Sequence, residues 1–431
     1  MRAAIAILLL ALITVTAGGQ SPGSTKEKDK KEKPKGPATV GGKTLAKWRE
    51  TLRSSKDASI RADAIAAILQ FGPDASEAVL DLLAVAESDK DISPRTKAMA
   101  ALRFIEVSDS QVKDVVGMLA KRIDVVGPKS DPRRREQQAI IRLEALFTLG
   151  RFYRDASPAK DALISSTKDS ASWEIRHQAV AVLWRLGLEM QRPKSESSPS
   201  QPPDPRIIEA LLDAVMDRRL ENTHRVKLEA LMGLAAMGKP ANQELQERLV
   251  KDLNIVATGP NPEFATSNSQ ARSIMALAAL VHLGEKPEKG RAPLDRLVTF
   301  MMLNRNVQTR CQAISALSTL GKLAHKHLGD LVKLLDDKES EVAQAACAAL
   351  SQLGETNGKI VDGLVKAVRH KDANRAAAAI TALVNLKQDS EKVVNALEAL
   401  KTDKDTDPRL DFLAGQALVA LKKMTEPKKK P

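Results

Sequence analysis

The chain has little of what sheets and disulfide-held folds need. Aromatic residues make up only 3% of it while hydrophobic residues make up 43%. The apolar supply is therefore mostly Ala, Leu, Val and Ile, which suits closely packed helices better than strands. Only two cysteines occur, too few for a disulfide framework. No C-x-x-C, C-x-x-C-H, G-x-x-x-x-G-K-[ST], G-x-S-x-G or H-E-x-x-H is present, so haem attachment, nucleotide hydrolysis and the common hydrolase and zinc-protease signatures have no support. A long apolar run is also missing beyond the first residues. Arg2, the run Ala3 to Val15 and the triplet Val15-Thr16-Ala17 have the three regions of a secretory signal, with cleavage expected after Ala17. About thirteen apolar residues fall short of the roughly 20 that span a bilayer. The expectation is export to a periplasmic or extracellular location, as a protein with no membrane span. No cysteine follows the run, so a lipid anchor is not expected.

The net charge of +13 is unevenly spread. Residues 18–43 carry seven Lys against three acids, and residues 422–431 carry five Lys against one Glu. Each tail is thus +4, Arg2 adds one, and the whole body between them holds only +4. The run from Lys26 to Lys35, where Lys alternates with Glu, Asp and Pro, reads as a solvated, disordered leader.

What the chain has in abundance is repetition. A phrase close to V-R-x-x-A-x-x-A-L-x-x-L-G first appears as Ile60 to Gly72 and closes again at Gly150, Gly187, Gly238, Gly284, Gly321 and Gly354. Degenerate copies close at Glu106, Lys387 and Lys422. Steps of 33 to 51 residues mean a stacked array, not one globular core. Each phrase belongs to an amphipathic second helix (B), preceded by a first helix (A): Leu45 to Arg53, Val112 to Ile123, Ile207 to Arg218, Leu294 to Met302, Leu328 to Leu335, Ile360 to Val368 and Val393 to Leu400 are clear A helices. Ten hairpins are predicted. Ala eight and five places before the closing residue, such as Ala64 and Ala67, Ala313 and Ala316, or Ala346 and Ala349, lets B helices approach. Leu183 and Leu186, or Leu317 and Leu320, fill the layer between, and the closing glycine stops the helix.

The hairpin, the Asp-then-Arg pairs at the entry to B (Asp57 and Arg61, Asp91 and Arg95) and the A-x-x-A-L-x-x-L-G phrase resemble HEAT repeats, and the later 33-residue units resemble their short bacterial variety. The likeness covers about Thr44 to Met424. It implies an all-α fold, an α-α superhelix or solenoid of about ten hairpins, with residues 1–17 a signal, 18–43 a leader, 44–424 the solenoid and 425–431 a basic tail. It also implies an Asp–Arg ladder between successive turns, which Ala343 and Ala376 break late in the array. The third unit departs too, with Arg142 where the first small Ala should stand.

Three insertions interrupt the spacing. Asp124 to Arg134 and Ile255 to Asn268 lie between A and B and should leave from one edge. Gly187 to Pro205, rich in Ser and Pro, lies between units, should leave from the opposite edge and reads as a flexible loop.

Candidate chemistry is sparse. Of six histidines, His177, His224, His282 and His370 are scattered, and His325 and His327 lie about 200° apart on a helix, so they cannot share a metal. The His-Glu iron ligands of HEAT-type hydroxylases have no counterpart, because no His-Glu dipeptide occurs. No catalytic residue, metal site or cofactor is expected. Cys311 and Cys347 lie one turn out of register on neighbouring B helices with axes about 8–10 Å apart. A bridge needs Cα atoms within about 7 Å, and the preferred reading is two buried thiols.

The densest basic stretch of the body holds Lys129, Arg133, Arg134, Arg135, Arg142, Arg151 and Arg154, with Phe152 and Tyr153 beside the last two. It could track phosphates, bind an acidic protein or polysaccharide, or be a solvated edge, since Asp124, Asp131, Glu136, Glu144 and Asp155 are interspersed. Trp173 and Trp184 share one helix face within about 20°, as an aromatic shelf or as packing. Places 13, 9, 6 and 2 before each closing residue form a polar stripe that should face solvent. It includes Ser59, Glu174, Arg225, Gln308, Glu341, Arg185, His282 and Gln352, with apolar members at Met232, Met275 and Leu413. By the HEAT resemblance this is the floor of a concave groove, and its mixed chemistry suits a protein or peptide better than a phosphate track. The candidate binding residues are therefore Arg133, Arg134, Arg135, Arg151, Tyr153 and Arg154 in the third unit, and Glu174, Arg185, Arg225 and His282 on the floor. The expected role is a monomeric, non-catalytic scaffold for a protein or peptide partner. Nucleic-acid or polyanion binding through the third unit and a lyase-like enzyme are the alternatives.

Overall fold

A computed structural model describes residues 36–124, 131–169, 172–193, 199–217, 223–258, 266–284, 292–402 and 407–425. The expected signal and most of the expected leader lie outside the described residues, as do Lys129 and the middles of all three insertions. Among the described residues there are twenty helices and no strand. They form ten successive hairpins: α1 (Leu45–Ser54) with α2 (Ala58–Leu69), α3 (Val79–Ser88) with α4 (Ile92–Leu102), α5 (Asp109–Ile123) with α6 (Pro132–Leu149), α7 (Lys160–Thr167) with α8 (Trp173–Gln191), and α9 (Pro205–Met216) with α10 (Thr223–Met237). The rest are α11 (Gln243–Thr258) with α12 (Ser267–His282), α13 (Pro293–Leu303) with α14 (Val307–Thr319), α15 (Leu328–Leu334) with α16 (Ser340–Leu353), α17 (Gly358–Val368) with α18 (Ala373–Asn385), and α19 (Glu391–Thr402) with α20 (Pro408–Thr425). The all-α solenoid follows the repeat read in the sequence.

Short polar side chains start the helices, because the first N–H groups of a helix have no partner within it. Asp57 accepts from Ser59 N, Asn306 from Thr309 N and Asn357 from Ile360 N. Gly72, Gly238, Gly284, Gly321 and Gly354 take positive φ and end the even helices as expected. Gly150 and Gly187 do not. Gly150 stays right-handed at φ −57, and the left-handed step falls to Tyr153 at φ 46. Gly187 lies inside α8, which runs on to Gln191. There a Cβ would lie 2.6 Å from Met237 Cε, so this glycine admits a neighbour and stops nothing. Lys387 closes α18 in the left-handed region without being glycine.

Even helices pack on even helices at every step far more extensively than odd on odd. Ala64, Ala67, Ala313, Ala316, Ala346 and Ala349 are all buried at these contacts, as small residues at close helix crossings should be. The rail of closer approach is the inner one, so the even helices line the concave side. The buried side chains fall into two cores, one from Leu52 to Leu283 and one from Ile274 to Leu421. They meet at α12, where Leu277 and Leu280 belong to the first and Ile274 and Ala278 to the second.

A ladder of buried arginines ties the turns between hairpins. Arg61 donates from Nε and Nη2 to Asp89 at 2.7 Å each, from Nη2 to Asp91 at 2.8 Å and from Nη1 to Ser55 O. Arg310 bonds both oxygens of Asp337 and the Met301 carbonyl. Burial pushes the Asp89 and Asp337 carboxyls up, but the Arg61 and Arg310 guanidiniums and the N–H groups of Asp91 and Glu339 outweigh it and hold both below the usual range. The expected late break is only half real. Ala343 carries no rung, but Arg375, one place before Ala376, is buried and donates to Asp337 O at 2.5 Å. Arg142 is likewise a rung set one turn late, since it is buried, donates to Ile123 O and pairs with Asp169 at 2.6 Å.

The last residues of the expected leader are held in place. Val40 and Lys43 pair across a tight turn, Trp48 Nε1 donates to Val40 O at 2.8 Å, and Gly36 N donates to Asp74. They shield the open end of the first hairpin. Both thiols are free, Cys347 buried and Cys311 half-buried. Burial pushes them up, Cys311 to about 11 and Cys347 to about 12.

Candidate functional site

The concave floor is built by one stripe of each even helix. In the first unit Ser59, Asp63, Ala66 and Gln70 are all exposed, as the 3.6-residue period requires. The stripe continues through Gln308, Gln312, Ser315 and Thr319 of α14, Glu341, Ala345, Ala348 and Gln352 of α16, and Asn374, Ala378, Thr381 and Asn385 of α18. Three units depart from the expected register, α8 only at the buried Ala181. On α6 the Arg142 rung turns the helix so that Ile141 and Thr148 are buried, and the exposed positions become Glu136, Ile140 and Phe147. On α12 the stripe residues Ala271 and Ala278 are buried, because this helix serves both cores.

The floor changes character along its length. Over α14 to α18, Glu341 is its one charged member, and amides and hydroxyls link neighbouring helices. Thr309 Oγ1 donates to Gln270, Ser318 Oγ to Gln352 and Asn385 Nδ2 to Ser351, all at 2.8 to 3.0 Å. Over α4 to α10 it is aromatic and charged. Phe104 is 72%, Ile140 48% and Phe147 42% exposed, a cluster too large and too open to be core. The Arg103 guanidinium lies 5.9 Å from the Phe104 ring and 5.5 Å from the Phe147 ring and pairs with Glu144.

A second convergence spans α8 and α10 around Glu229. Trp184 Nε1 donates to its Oε1 at 2.9 Å, Arg185 Nη2 approaches the same oxygen at 3.5 Å, and His177 Nε2 lies 3.8 Å from Oε2. Arg185 stacks over the Trp184 ring and Arg225 over the Trp173 ring, at 4.9 and 5.4 Å. Burial, and after it the charges of Arg225 and Arg185, push the His177 imidazole below its ordinary value despite Glu229. Trp184 is buried against Gly233, where a Cβ would sit 2.6 Å from its own Cβ. The two tryptophans therefore divide the roles foreseen for them: Trp184 packs and Trp173 stays half open beside Arg225.

The structure sets Arg185 and Arg225 beside the two tryptophans and turns Arg142, Arg151 and Arg154 of the third-unit stretch inward. Arg151 is half-buried and donates to the carbonyls of Leu102 and Ile105, and burial pushes its guanidinium down. Arg154 donates to the carbonyls of Met190 and Arg192. Both tie one hairpin to another, and with Arg142 buried they are not a surface for phosphates. Arg133 and Arg134 are exposed, Arg134 paired with Asp131, while Arg135 is half-buried. Tyr153 is exposed, away from the stripe. On the floor, Glu174 is exposed and accepts from Ser172 Oγ, Arg185 and Arg225 stand as described, and His282 is half-buried and pushed down by burial. Sequence reasoning missed Phe104, Phe147, Arg103 and Glu229. Phe104 and Glu229 were visible, as members of the stripe two and nine places before Glu106 and Gly238. Phe147 was hidden by the register shift. Among the described residues no three His, Cys, Asp or Glu side chains gather to hold a metal ion, and no helix is long and apolar enough to cross a membrane.

Residues 330–419 match the HEAT repeats family model. No curated protein matches the chain. Among solved structures it is similar to yeast importin-beta, at 13% identity and a TM-score of 0.54, with 88% of this chain and 50% of that one covered. Another importin-beta structure is similar at 14% identity and a TM-score of 0.44, with 87% and 50% covered. Human deoxyhypusine hydroxylase is similar at 20% identity and a TM-score of 0.27, with 73% and 98% covered. The chain thus spans about half the length of the importin-beta chains it matches. The yeast likeness shows the fold, an all-α superhelix.

Proposed function

We propose that this HEAT-repeat solenoid is a non-catalytic scaffold, exported from the cell, that holds a polypeptide partner along its concave floor. One observation carries the reading: several charges on the outer, odd helices pair from hairpin to hairpin, while the floor presents aromatic and guanidinium groups to solvent. On the outside Arg49 pairs with Asp81 at 2.6 Å, Arg206 with Asp161 at 2.8 Å, Arg248 with Asp213 at 2.9 Å and Lys366 with Asp336 at 2.6 Å. Lys392 pairs with Asp362 in the same way. Exposed pairs of this kind add little stability each. The floor instead shows the Phe104, Ile140 and Phe147 cluster, and Arg225 stacked on the Trp173 ring. Aromatic and Arg anchors among weakly interacting polar neighbours are the usual composition of a protein-binding surface. Many shallow contacts along a rigid inner rail would add to a usable affinity.

Site-specific photo-crosslinking tests this. A crosslinker placed at Gln352 on the floor should capture a discrete partner from the exported fraction, and one at Asp362 on the outer face should not. Capture from Asp362 alone would overturn the reading. A polyanion reading through the third unit draws less support, because Arg142, Arg151 and Arg154 are internal ties.

A further inference from the structure

We propose that the floor at the second and third hairpins is a seat for one amphipathic helix of a partner, which lays its apolar stripe on Phe104 of α4 and on Ile140, Leu143 and Phe147 of α6. This rests on the scaffold reading and names the chemistry of one of its contacts. Ile140, Leu143 and Phe147 follow one another at three and four residues, the spacing by which one face of a helix meets another helix. The corresponding stripes of α2, α14, α16 and α18 hold only polar residues and Ala, so the repeat itself does not call for large apolar groups there. They reach the floor because the Arg142 rung turns α6.

Close contacts join the two helices at this place. The Arg103 guanidinium stands between the Phe104 and Phe147 rings, 5.9 and 5.5 Å from their centres, and pairs with Glu144, which lies between Ile140 and Phe147 along α6. Burial pushes the Glu144 carboxyl up even with Arg103 beside it, so the pair sits in partly desolvated surroundings. The rings around it stay open to solvent.

Charge and area select the occupant. Arg103 and Glu144 cancel, and the rim beyond them carries exposed Lys97 on α4 and Glu136 on α6, one of each sign. A polyanion would meet Glu136 and Glu144 there, whereas an uncharged apolar stripe flanked by Lys and Glu fits both the centre and the rim. Phe104 is 72%, Ile140 48% and Phe147 42% exposed, which at about 200 Å² for each large side chain leaves about 300 Å² of apolar surface open. Two folded surfaces that associate specifically bury about 800 Å² on each, so a second copy would need far more than this patch. Ile140 and Phe147 are about 10.5 Å apart along α6, two turns of a helix laid beside it, and one face of a short helix covers the whole.

The full chain is titrated by fluorescence anisotropy with a fluorescein-labelled amphipathic helix of about four turns, built of Ala, Lys and Glu with Leu at i, i+3 and i+7. Binding is expected, with F104A and, separately, F147A each weakening it by about tenfold. Affinity should hardly change between about 50 and 500 mM salt, since no net charge is engaged. R133E/R134E should bind as the unmodified chain does, and a peptide of the same composition with its leucines dispersed around the helix should bind about tenfold more weakly or worse. Phe104 and Phe147 are exposed, so both variants are expected to keep their helical circular dichroism and unfolding midpoint, which are measured alongside. Undiminished binding by F104A overturns the proposal, as does equal binding of the dispersed peptide or a steep loss with salt. Self-association in sedimentation that F104A abolishes gives this face to a second copy and overturns it too. Failure to bind the peptide, with the Gln352 crosslink to a partner intact, removes this seat and leaves the scaffold reading standing. Loss of the crosslink as well removes both.

Discussion

The first six hairpins and the last four are built from the same phrase but use it differently. From α14 onward the steps are regular and the closing residue takes positive φ at Gly321, Gly354 and Lys387. The floor there is amides, hydroxyls and Ala. Before α12 the steps vary, two closing glycines have other duties, one helix is turned out of register, and the floor carries, among the described residues, every exposed aromatic ring of the inner side but Phe412 at the far end. Regularity and chemical distinctiveness thus trade places along the chain. A hairpin that keeps the register presents the same small side chains as its neighbours, whereas one that slips presents groups the repeat would bury.

The widest separation between the two regions should appear in unfolding. Repeat arrays are stabilised by nearest-neighbour contacts and lose cooperativity where one interface is weak. All three tryptophans, Trp48, Trp173 and Trp184, lie in the first region. Tryptophan fluorescence and far-ultraviolet circular dichroism should therefore give different urea midpoints, and coincident curves would mean that α12 couples the two cores fully. Removing one rung is next in size. Asp89→Ala leaves Arg61 buried without its main counter-charge and should lower stability by about 3–5 kcal/mol. Asp337→Ala should do the same in the second region, and a loss confined to one of them would show that the ladder matters only there. Gly233→Ala drives a methyl against Trp184 and should lower stability by about 1–3 kcal/mol, shifting the fluorescence midpoint and not the dichroism of the later hairpins.

Acid should act on both regions alike. Folding lowers the Asp89 and Asp337 carboxyls, so their contribution is present at neutral pH and persists down to the unfolded value near about 4. It is lost as pH falls through the lower folded values, by about 1.4 kcal/mol for each unit of lowering. Asp337→Asn should remove its part of the acid dependence, measured as urea midpoints between neutral and acid pH. The smallest effect is Gln352→Ala, which costs Ser318 one partner and should change stability by less than about 0.5 kcal/mol. If it also leaves partner affinity untouched, the amide floor is a spacer between anchors.

Most of the fold was legible, because the repeat writes its packing into fixed places: Ala64 and Ala67 or Ala346 and Ala349 for approach, and Leu317 and Leu320 for filling. What was not legible came from residues whose letter serves two purposes. A glycine that ends a helix and one that admits Met237 look alike in sequence, so Gly187 was assigned the wrong duty. Arg142 and Arg375 are rungs displaced by a turn and by one residue, and a guanidinium on a long stem can reach its partner from either place. The basic stretch of the third unit looked like a surface because adjacency in sequence hid that Arg142, Arg151 and Arg154 reach inward to Ile123, Leu102 and Met190. Glu174, Arg185, Arg225 and His282 were assigned to the floor by register alone, and the structure leaves them exposed or half-buried; that Arg185 meets Trp184 and Glu229, and Arg225 meets Trp173, depends on how far neighbouring helices are staggered, which no single repeat records.

The sharing of α12 between the two cores has a mechanical meaning. Under tension applied at the ends, load passes through every hairpin in series, and the element that must hold two sides at once is the one whose failure divides the chain into two springs. A pull on a bound partner would extend the irregular first spring and the regular second one by different amounts, so this solenoid would grip with a stiffness that depends on where along its length it is held.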